Sequence, residues 1–254
     1  MAISLIFIFG LLGNITTGLV YLSTVKTFWH IVQRRSTEEF ESFPYISKLL
    51  NAYFWVWYGV VKPNSVLVAT VNGFGVVLEI IYLIIFLVFA STPRMRAKTG
   101  ILVGILDVVF PGVVVLVTQL KFDRDVQIEV SGFLSLCFSM VAYASPLSAM
   151  KTVVMTKSVE YMPFLLSFIL FVNGAVWTVY AVLTKDLFIG IPNGSGFVLG
   201  AAQLVLYAMY WKPNKSSSIS KETTNDLEDV LQHHQPLITS NSSSSPILPE
   251  KRQG

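Results

Sequence analysis

Charged residues, histidine and cysteine are scarce in this chain. Of its 254 residues, 13% are Asp, Glu, Lys or Arg and 53% are hydrophobic, whereas a soluble domain carries about 25% charged residues. The single cysteine, Cys137, excludes an intrachain disulfide and a cysteine-based zinc cluster. The net charge of +3 is small and the positive residues lie beside apolar segments, so we expect no nucleic-acid-binding surface. We find no residue pattern that predicts an enzyme active site, a cofactor or a metal site.

The hydrophobic residues form seven long blocks, each close to the ~20 residues that a helix needs to cross a bilayer. The blocks run roughly over 3–25, 44–61, 65–90, 100–120, 130–154, 163–183 and 188–211. With the N-terminus outside or lumenal, ten Lys and Arg residues lie on the cytosolic side and four, Lys62, Lys121, Arg124 and Lys185, on the other. The positive-inside rule therefore predicts a multi-pass membrane protein with a cytosolic C-terminus.

A polar and aromatic segment interrupts the apolar sequence twice, over 51–75 and again over 173–196. The repeated positions are Asn51 and Asn173, Trp55 and Trp177, and Asn72 and Asn193, at offsets of 122, 122 and 121 residues. A repeat of this kind is typical of an internally duplicated membrane transporter.

The number of spans predicts how the two copies are joined. A unit of three spans is odd, so two units joined directly would point in opposite directions, and one extra helix makes them parallel. We therefore expect an all-α membrane protein with seven transmembrane helices, as two parallel three-helix bundles joined by a linker helix (3+1+3). The expected division is 1–92, a linker over 93–125, 126–212, and a disordered cytosolic tail over 213–254 that is rich in Ser, Asn, Gln and Pro.

The repeated side chains are suited to a sugar. In each copy the first Asn and the Trp are four residues apart, so they share a helix face, and an Asn-Gly pair follows near mid-membrane. Amides exchange hydrogen bonds with hydroxyls, and aromatic faces pack on the ring. The alternative is that the asparagines join helices and the tryptophans lie in interfacial belts, but the duplication favours a site. The candidate sugar-binding residues are Asn51, Trp55, Asn72, Asn173, Trp177 and Asn193.

Three prolines and one charged pair are candidates for moving parts. Pro44 and Pro163 begin the second and sixth spans, and Pro146 interrupts the fifth. Each permits a kink, although the first two are equally interpreted as first-turn prolines without a mechanical role. Lys62 and Asp186 lie in the two external loops, where an ion pair would close the outer mouth.

We identify two acidic residues within the spans, Glu79 and Asp107. An acid at membrane depth suggests a proton relay, so a proton-coupled sugar transporter using either acid is the alternative function. Neither acid has a charged counterpart in the other copy, and His30 is expected in the first cytosolic loop. We therefore interpret both acids as structural.

Seven segments carry a resemblance to a known family. RRSTEEFESFPY, WYG, VNGFGVVLEIIY, ASPLSAMKTVV, TKSVEYMPF, IPNGSGF and QLVLYAMY are similar to the SWEET (MtN3/saliva) sugar transporters of plants, over roughly residues 5–211. The resemblance implies bidirectional, facilitative uniport of sugars by alternating access. A seven-helix receptor is a further alternative, but the repeat and the absence of a Lys in span seven for a retinal-type Schiff base argue against it.

The resemblance also implies roles for individual residues. It assigns sugar binding to Asn72, Asn193, Trp55 and Trp177. It implies that Asn51 and Asn173 determine which size of sugar is accepted, and paired asparagines at these positions resemble the hexose-selective pattern. It assigns the inner hinges to Pro44, Pro146, Pro163 and Thr24. Because Thr24 stands where the family has its fourth proline, the first helix is expected to kink less. It assigns the external gate to Tyr58, Lys62 and Asp186. The sequence is most similar to the vacuolar-membrane subgroup, which implies a hexose (fructose or glucose) as substrate and a location in the vacuolar membrane, with the plasma membrane as the alternative. Since each half has only three spans, we expect one monomer to contain a pathway, and a homo-oligomer is compatible with this.

Overall fold

The structure, a computed structural model, describes residues 2–38, 40–160 and 162–211, with side chains from residue 5 onward. In these ranges the chain forms ten α-helices and one π-helical turn. They are α1 (Ala2–Ser23), α2 (Val25–Arg34), α3 (Phe43–Val61), α4 (Val66–Val88), α5 (Pro93–Val103), the π-helical turn (Gly104–Val109), α6 (Phe110–Lys121), α7 (Arg124–Ala142), α8 (Ala144–Thr156), α9 (Phe164–Thr184) and α10 (Leu187–Tyr210). The predicted tail over 213–254 lies outside the described residues.

The helices make seven spans, as the sequence predicted, because α1–α2, α5–α6 and α7–α8 each run on as one span. Six spans are long and apolar enough to cross a membrane by length and composition alone. The exception is α3, whose 19 residues include Lys48 and Asn51. This helix packs against α4, α7 and the fourth span, and many of its side chains are buried. Its polar residues therefore face the interior of the molecule rather than lipid.

The first span is longer than its apolar run predicted. Hydropathy ends it near residue 25, but α2 continues the helix to Arg34 and buries Phe28 and Ile31 on one face. The polar residues of α2 lie on its other face, so the helix is amphipathic and its mean hydropathy is low. His30, which was expected in a loop, lies on this helix, with Nε2 3.5 Å from the Glu38 carboxylate.

The two halves pack in the same way. In each, the third span lies between the first and the second, since α4 contacts both α1 and α3, and α10 contacts both α7 and α9. The halves meet through reciprocal pairs, α1 with α9 and α3 with α7. The first span of each half therefore faces the second span of the other, as parallel repeats related by a pseudo-twofold axis require.

The fourth span is attached mainly to the first half. The ring of Phe54 on α3 packs against Phe110 of α6 at 5.8 Å and against Phe138 of α7 at 5.6 Å between centroids. Trp57 and Leu50 complete this hydrophobic cluster. The linker thereby covers the outer face of α3 and leaves its opposite face free to line the centre of the molecule.

The first span of each half has an interruption in its α-helical hydrogen bonding, at Thr24 in one and at Tyr143 in the other. Pro146 follows the second interruption as the third residue of α8. The first has no proline. There, the Tyr82 hydroxyl donates to the Tyr21 carbonyl at 3.2 Å, and Lys48 Nζ donates to Thr24 Oγ1 at 3.3 Å. Side chains from neighbouring helices thus satisfy polar groups at a break that proline produces elsewhere.

Candidate functional site

A cavity of about 200 Å³ lies between the two halves. All six residues predicted from the repeat line it: Asn51, Trp55, Asn72, Asn173, Trp177 and Asn193. They reach it from the second and third spans of each half. The structure therefore brings together side chains that are up to 142 positions apart in the sequence (from 51 to 193).

The repeat extends to cavity-lining residues beyond the six that were predicted. Three more pairs of lining residues share its offsets: Thr17 with Ser139, Tyr21 with Tyr143, and Val68 with Ile189. The first two pairs differ by 122 residues and the third by 121. The sequence analysis missed them, although the same subtraction of residue numbers would have found them.

At one side of the cavity Trp55, Ser139 and Asn51 form a hydrogen-bonded chain, the first triad. The Trp55 indole Nε1–H donates to Ser139 Oγ at 3.0 Å, and the Ser139 hydroxyl donates to Asn51 Oδ1 at 3.1 Å. Ser139 belongs to α7 and the other two residues to α3, so the triad crosses between the halves.

The opposite side repeats this arrangement with Trp177, Thr17 and Asn173, the second triad. Trp177 Nε1–H donates to Thr17 Oγ1 at 2.8 Å, and the Thr17 hydroxyl donates to Asn173 Oδ1 at 2.7 Å. Thr16 also donates to Asn173 Oδ1, at 2.8 Å. Thr17 lies on α1 and its partners on α9, so this triad spans the other contact between the halves.

Asn72 and Asn193 anchor their amides on their own helices. Asn72 Nδ2 donates to the Val68 carbonyl at 2.9 Å, and Asn193 Nδ2 donates to the Ile189 carbonyl at 2.8 Å. The Asn72 oxygen also accepts from the Tyr21 hydroxyl at 3.2 Å. Each asparagine therefore has a second Nδ2–H that can donate beside the cavity, and the Asn193 oxygen can accept there.

Two glycines let aromatic rings reach the cavity wall. Tyr21 packs on Gly75 so closely that a Cβ there would overlap its ring, and a Cβ at Gly196 would overlap the Tyr143 hydroxyl. Tyr143 differs from its counterpart in its hydrogen bond, which it donates to the Pro192 carbonyl. The glycines of the repeat therefore serve the approach of these tyrosines and not a left-handed backbone.

The residues of the predicted external gate form one cluster that joins the two halves: Tyr58, Lys62 and Asp186, which we call the gate cluster. Lys62 forms an ion pair with Asp186, and the Tyr58 hydroxyl donates to Asp186 Oδ2 at 2.8 Å. The Asp186 side chain is 1% exposed and that of Lys62 25%. Asp186 Oδ1 also accepts from the Ile189 backbone N–H at 3.2 Å, so the same carboxylate caps α10.

No such cluster joins α2 to α8 in the part of the chain that the structure describes. The inner segments α2 and α8 contact only helices of their own halves, whereas the contacts between the halves use α1, α3, α7 and α9. The predicted hinge prolines lie at this open end: Pro44 is in the first turn of α3, Pro163 directly precedes α9, and Pro146 lies near the start of α8.

Lys48 is the one charged residue among the described residues that line the cavity. It lies one turn before Asn51 on the same face of α3, a spacing that would have revealed it in the sequence. Glu79 lies outside the cavity, is 0% exposed and has no hydrogen-bond partner among the described residues. Asp107 lies in the π-helical turn of the linker, also without a partner there. The structure does not bring the two acids into the site.

These features define a class of protein: a helical membrane transporter with two repeated halves around one polar and aromatic cavity. A family model described as "Sugar efflux transporter for intercellular exchange" matches residues 7–94 and 129–215. The chain therefore belongs to the SWEET (MtN3/saliva) family of sugar transporters.

Similar proteins agree with this assignment. Bidirectional sugar transporter SWEET17 of Arabidopsis thaliana is 47% identical over 238 residues, 92% of this chain and 98% of the relative. Bidirectional sugar transporter SWEET16 of the same organism is 50% identical over 205 residues, 80% and 89% of the two chains. A solved structure of a eukaryotic SWEET transporter superimposes with a TM-score of 0.78 at 38% identity, over 81% of this chain and 96% of that one. These relatives are named as transporters and not as enzymes.

Proposed function

We propose that this protein is a facilitative uniporter that moves hexoses in either direction by alternating access. The observation that carries the proposal is a polar cavity between two pseudosymmetric halves, which the gate cluster joins at one end, whereas α2 and α8 at the other end contact only helices of their own halves. Rocking of the halves about the cavity would expose it to the two sides in turn. No further energy source is required, because a uniporter follows the sugar gradient.

The size and lining of the cavity support a monosaccharide. Its volume of about 200 Å³ is below the ~300–1,000 Å³ that is usual for pockets that take drug-sized ligands. Asn51 and Asn173 line it, one from each half, and offer amides to hydroxyl groups. We propose that Asn72, Asn193, Trp55 and Trp177 bind the sugar, as the family resemblance implies.

We further propose that the protein lies in the vacuolar membrane with a cytosolic C-terminus, so that the open end faces the cytosol. The supporting observations are the ten positive residues on one side against four on the other and the resemblance to the vacuolar subgroup. Pro44, Pro146, Pro163 and Thr24 would then be inner hinges, and the gate cluster would be the lumenal gate.

Uptake of labelled fructose, glucose and sucrose into vesicles that contain the protein tests this function. We expect saturable hexose uptake, little sucrose uptake, and no change when a proton uncoupler is added. Uptake that collapses with the uncoupler would replace uniport by proton coupling. Preferential sucrose uptake would overturn the proposed substrate while leaving the transport mechanism intact.

A further inference from the structure

In both triads the donor-to-acceptor direction of the hydrogen bonds is fixed, and distances alone do not reveal this. An indole N–H is only a donor, so the hydroxyl of Ser139 or Thr17 must accept from it. The hydroxyl proton is then free to point to the asparagine, and only the carbonyl oxygen of the amide can accept it. The tryptophan thereby determines which end of each amide meets the hydroxyl, independently of how the amide is placed.

The consequence concerns the other end of each amide. The Oδ1 atoms of Asn51 and Asn173 are held by hydroxyl groups. Neither Nδ2 donates to a protein acceptor among the described residues, and both side chains line the cavity. Two NH₂ groups, one from each half, are thus presented to the cavity as donors.

We propose that Thr17 and Ser139 are positioning residues that hold Asn173 and Asn51 with their NH₂ groups toward the sugar. The sugar is then recognised at two opposite positions through hydroxyl oxygens that accept hydrogen bonds. Since each hydroxyl comes from one half and each asparagine from the other, this arrangement also depends on how the halves meet. This inference rests on the proposed sugar transport. It adds that Asn51 and Asn173 act as hydrogen-bond donors to the sugar.

The triads are not equally strong, which gives an internal comparison. Asn173 accepts from both Thr16 and Thr17, whereas Ser139 alone holds Asn51. The position that matches Thr16 at an offset of 122 is Phe138, which has no hydroxyl. We therefore expect the orientation of Asn51 to depend more on its single hydroxyl than that of Asn173 does.

The test measures hexose affinity of the full chain, both as uptake and as tryptophan fluorescence of purified protein. Thr17→Val and Ser139→Ala should weaken binding about 2- to 12-fold, as expected for one hydrogen bond, with a smaller change in maximal rate and the larger effect at Ser139. Thr17→Ser and Ser139→Thr should restore the affinity. Thr16→Val is the matched control, because it removes a donor to the same oxygen but leaves the indole-directed chain, so its effect should be smaller than that of Thr17→Val.

Sugar analogues separate positioning from a general structural role. A deoxyfluoro sugar keeps an acceptor where a hydroxyl was, whereas a deoxy sugar has none. At two sugar positions the natural protein should tolerate fluorine better than hydrogen, and Thr17→Val or Ser139→Ala should reduce that difference at one position each.

Four outcomes would contradict the inference, the proposed transport or both. Unchanged affinity and an unchanged analogue pattern in Thr17→Val and Ser139→Ala would overturn the inference, as would an equal loss for every analogue. Sugar binding without uptake by the natural protein would overturn the proposed transport but not the positioning role. Absence of sugar binding by the natural protein would overturn both.

Discussion

At the scale of single residues, the asparagines of the two Asn-Gly pairs, Asn72 and Asn193, are not equivalent. Both donate one Nδ2–H to a carbonyl of their own helix. The Asn72 oxygen already accepts from Tyr21, whereas the Asn193 oxygen has no protein donor among the described residues. A sugar hydroxyl can therefore donate to Asn193 without displacing a protein group, but at Asn72 it competes with the tyrosine.

This difference predicts unequal losses on truncation. Asn193→Ala should weaken hexose affinity about 5- to 150-fold, the equivalent of ~1–3 kcal/mol for a lost hydrogen bond in a buried site, and Asn72→Ala should weaken it less. Uptake kinetics at matched membrane abundance measure both. Ser195→Ala serves as the control, since Ser195 is outside the cavity lining and, among the described residues, its hydroxyl bonds only to the Ile191 carbonyl. Normal affinity in both asparagine variants would contradict the site.

The buried acid Glu79 predicts a result for proton coupling. An ionised carboxylate without a hydrogen-bond partner is costly at such a position, and Glu79 lies outside the cavity. Glu79→Gln, which keeps the shape, should therefore keep hexose uptake within about twofold, a change of less than ~0.5 kcal/mol. Asp107→Asn is the parallel variant in the linker. Loss of uptake in Glu79→Gln at normal abundance would instead support the proton-coupled alternative.

At the scale of elements, the break in the first span shows that proline is one of several ways to interrupt a helix. The predicted consequence of Thr24, a reduced kink, was based on the absence of a proline ring. The structure nevertheless interrupts the helix there, with Tyr82 and Lys48 bonded to polar groups on either side. A sequence shows a missing proline directly, but it does not show side chains that approach from other helices.

Thr24→Pro tests whether the break is already compatible with proline. The φ of Thr24 is −75°, inside the range that proline adopts, and its N–H makes only a long bond of 3.4 Å to the Tyr21 carbonyl. We expect the free energy of unfolding to change by no more than about 1 kcal/mol, with transport retained, as measured by thermal unfolding and uptake. Thr24→Val, which removes the Lys48 partner without a ring, is the control. Lost uptake in both variants would show that the Lys48 hydrogen bond, and not the bend, is needed.

At the scale of the whole molecule, the structure is closed at the gate cluster and open at the end with α2 and α8. Alternating access requires the reverse state, in which the halves meet at the open end and the gate cluster separates. The ion pair between Lys62 and Asp186 stabilises only the present state. Its removal should therefore shift the equilibrium between the two states.

Asp186→Asn should favour the state that is open at the gate end. Asn keeps the cap of α10, and Lys62 can turn its charge to water because it is partly exposed, so folding should be retained. The measurement is labelling of Val20→Cys, a cavity position, by an impermeant thiol reagent from the gate side in a Cys137→Ser background. Asp186→Ala should give the same labelling but lose the cap as well, at about 1 kcal/mol. Equal labelling with and without the substitution would argue against the gate.

The sequence by itself determined the seven spans, the two repeated halves and the six polar or aromatic positions that line the cavity. These features are linear patterns, since hydropathy marks a span and a constant offset marks a repeat. The division at residues 92, 125 and 212 and the roles of the six residues stay predictions.

Only the tertiary structure decided which helices face each other. The order of spans in each half, the crossing of α1 to α9 and of α3 to α7, and the triads through Thr17 and Ser139 depend on contacts between residues far apart in the chain. The helix α2 was missed for a related reason, because hydropathy averages over a window and does not report which face of a helix is covered. The partner of a side chain depends on which distant residues the fold brings close to it, and no single position of the sequence specifies that.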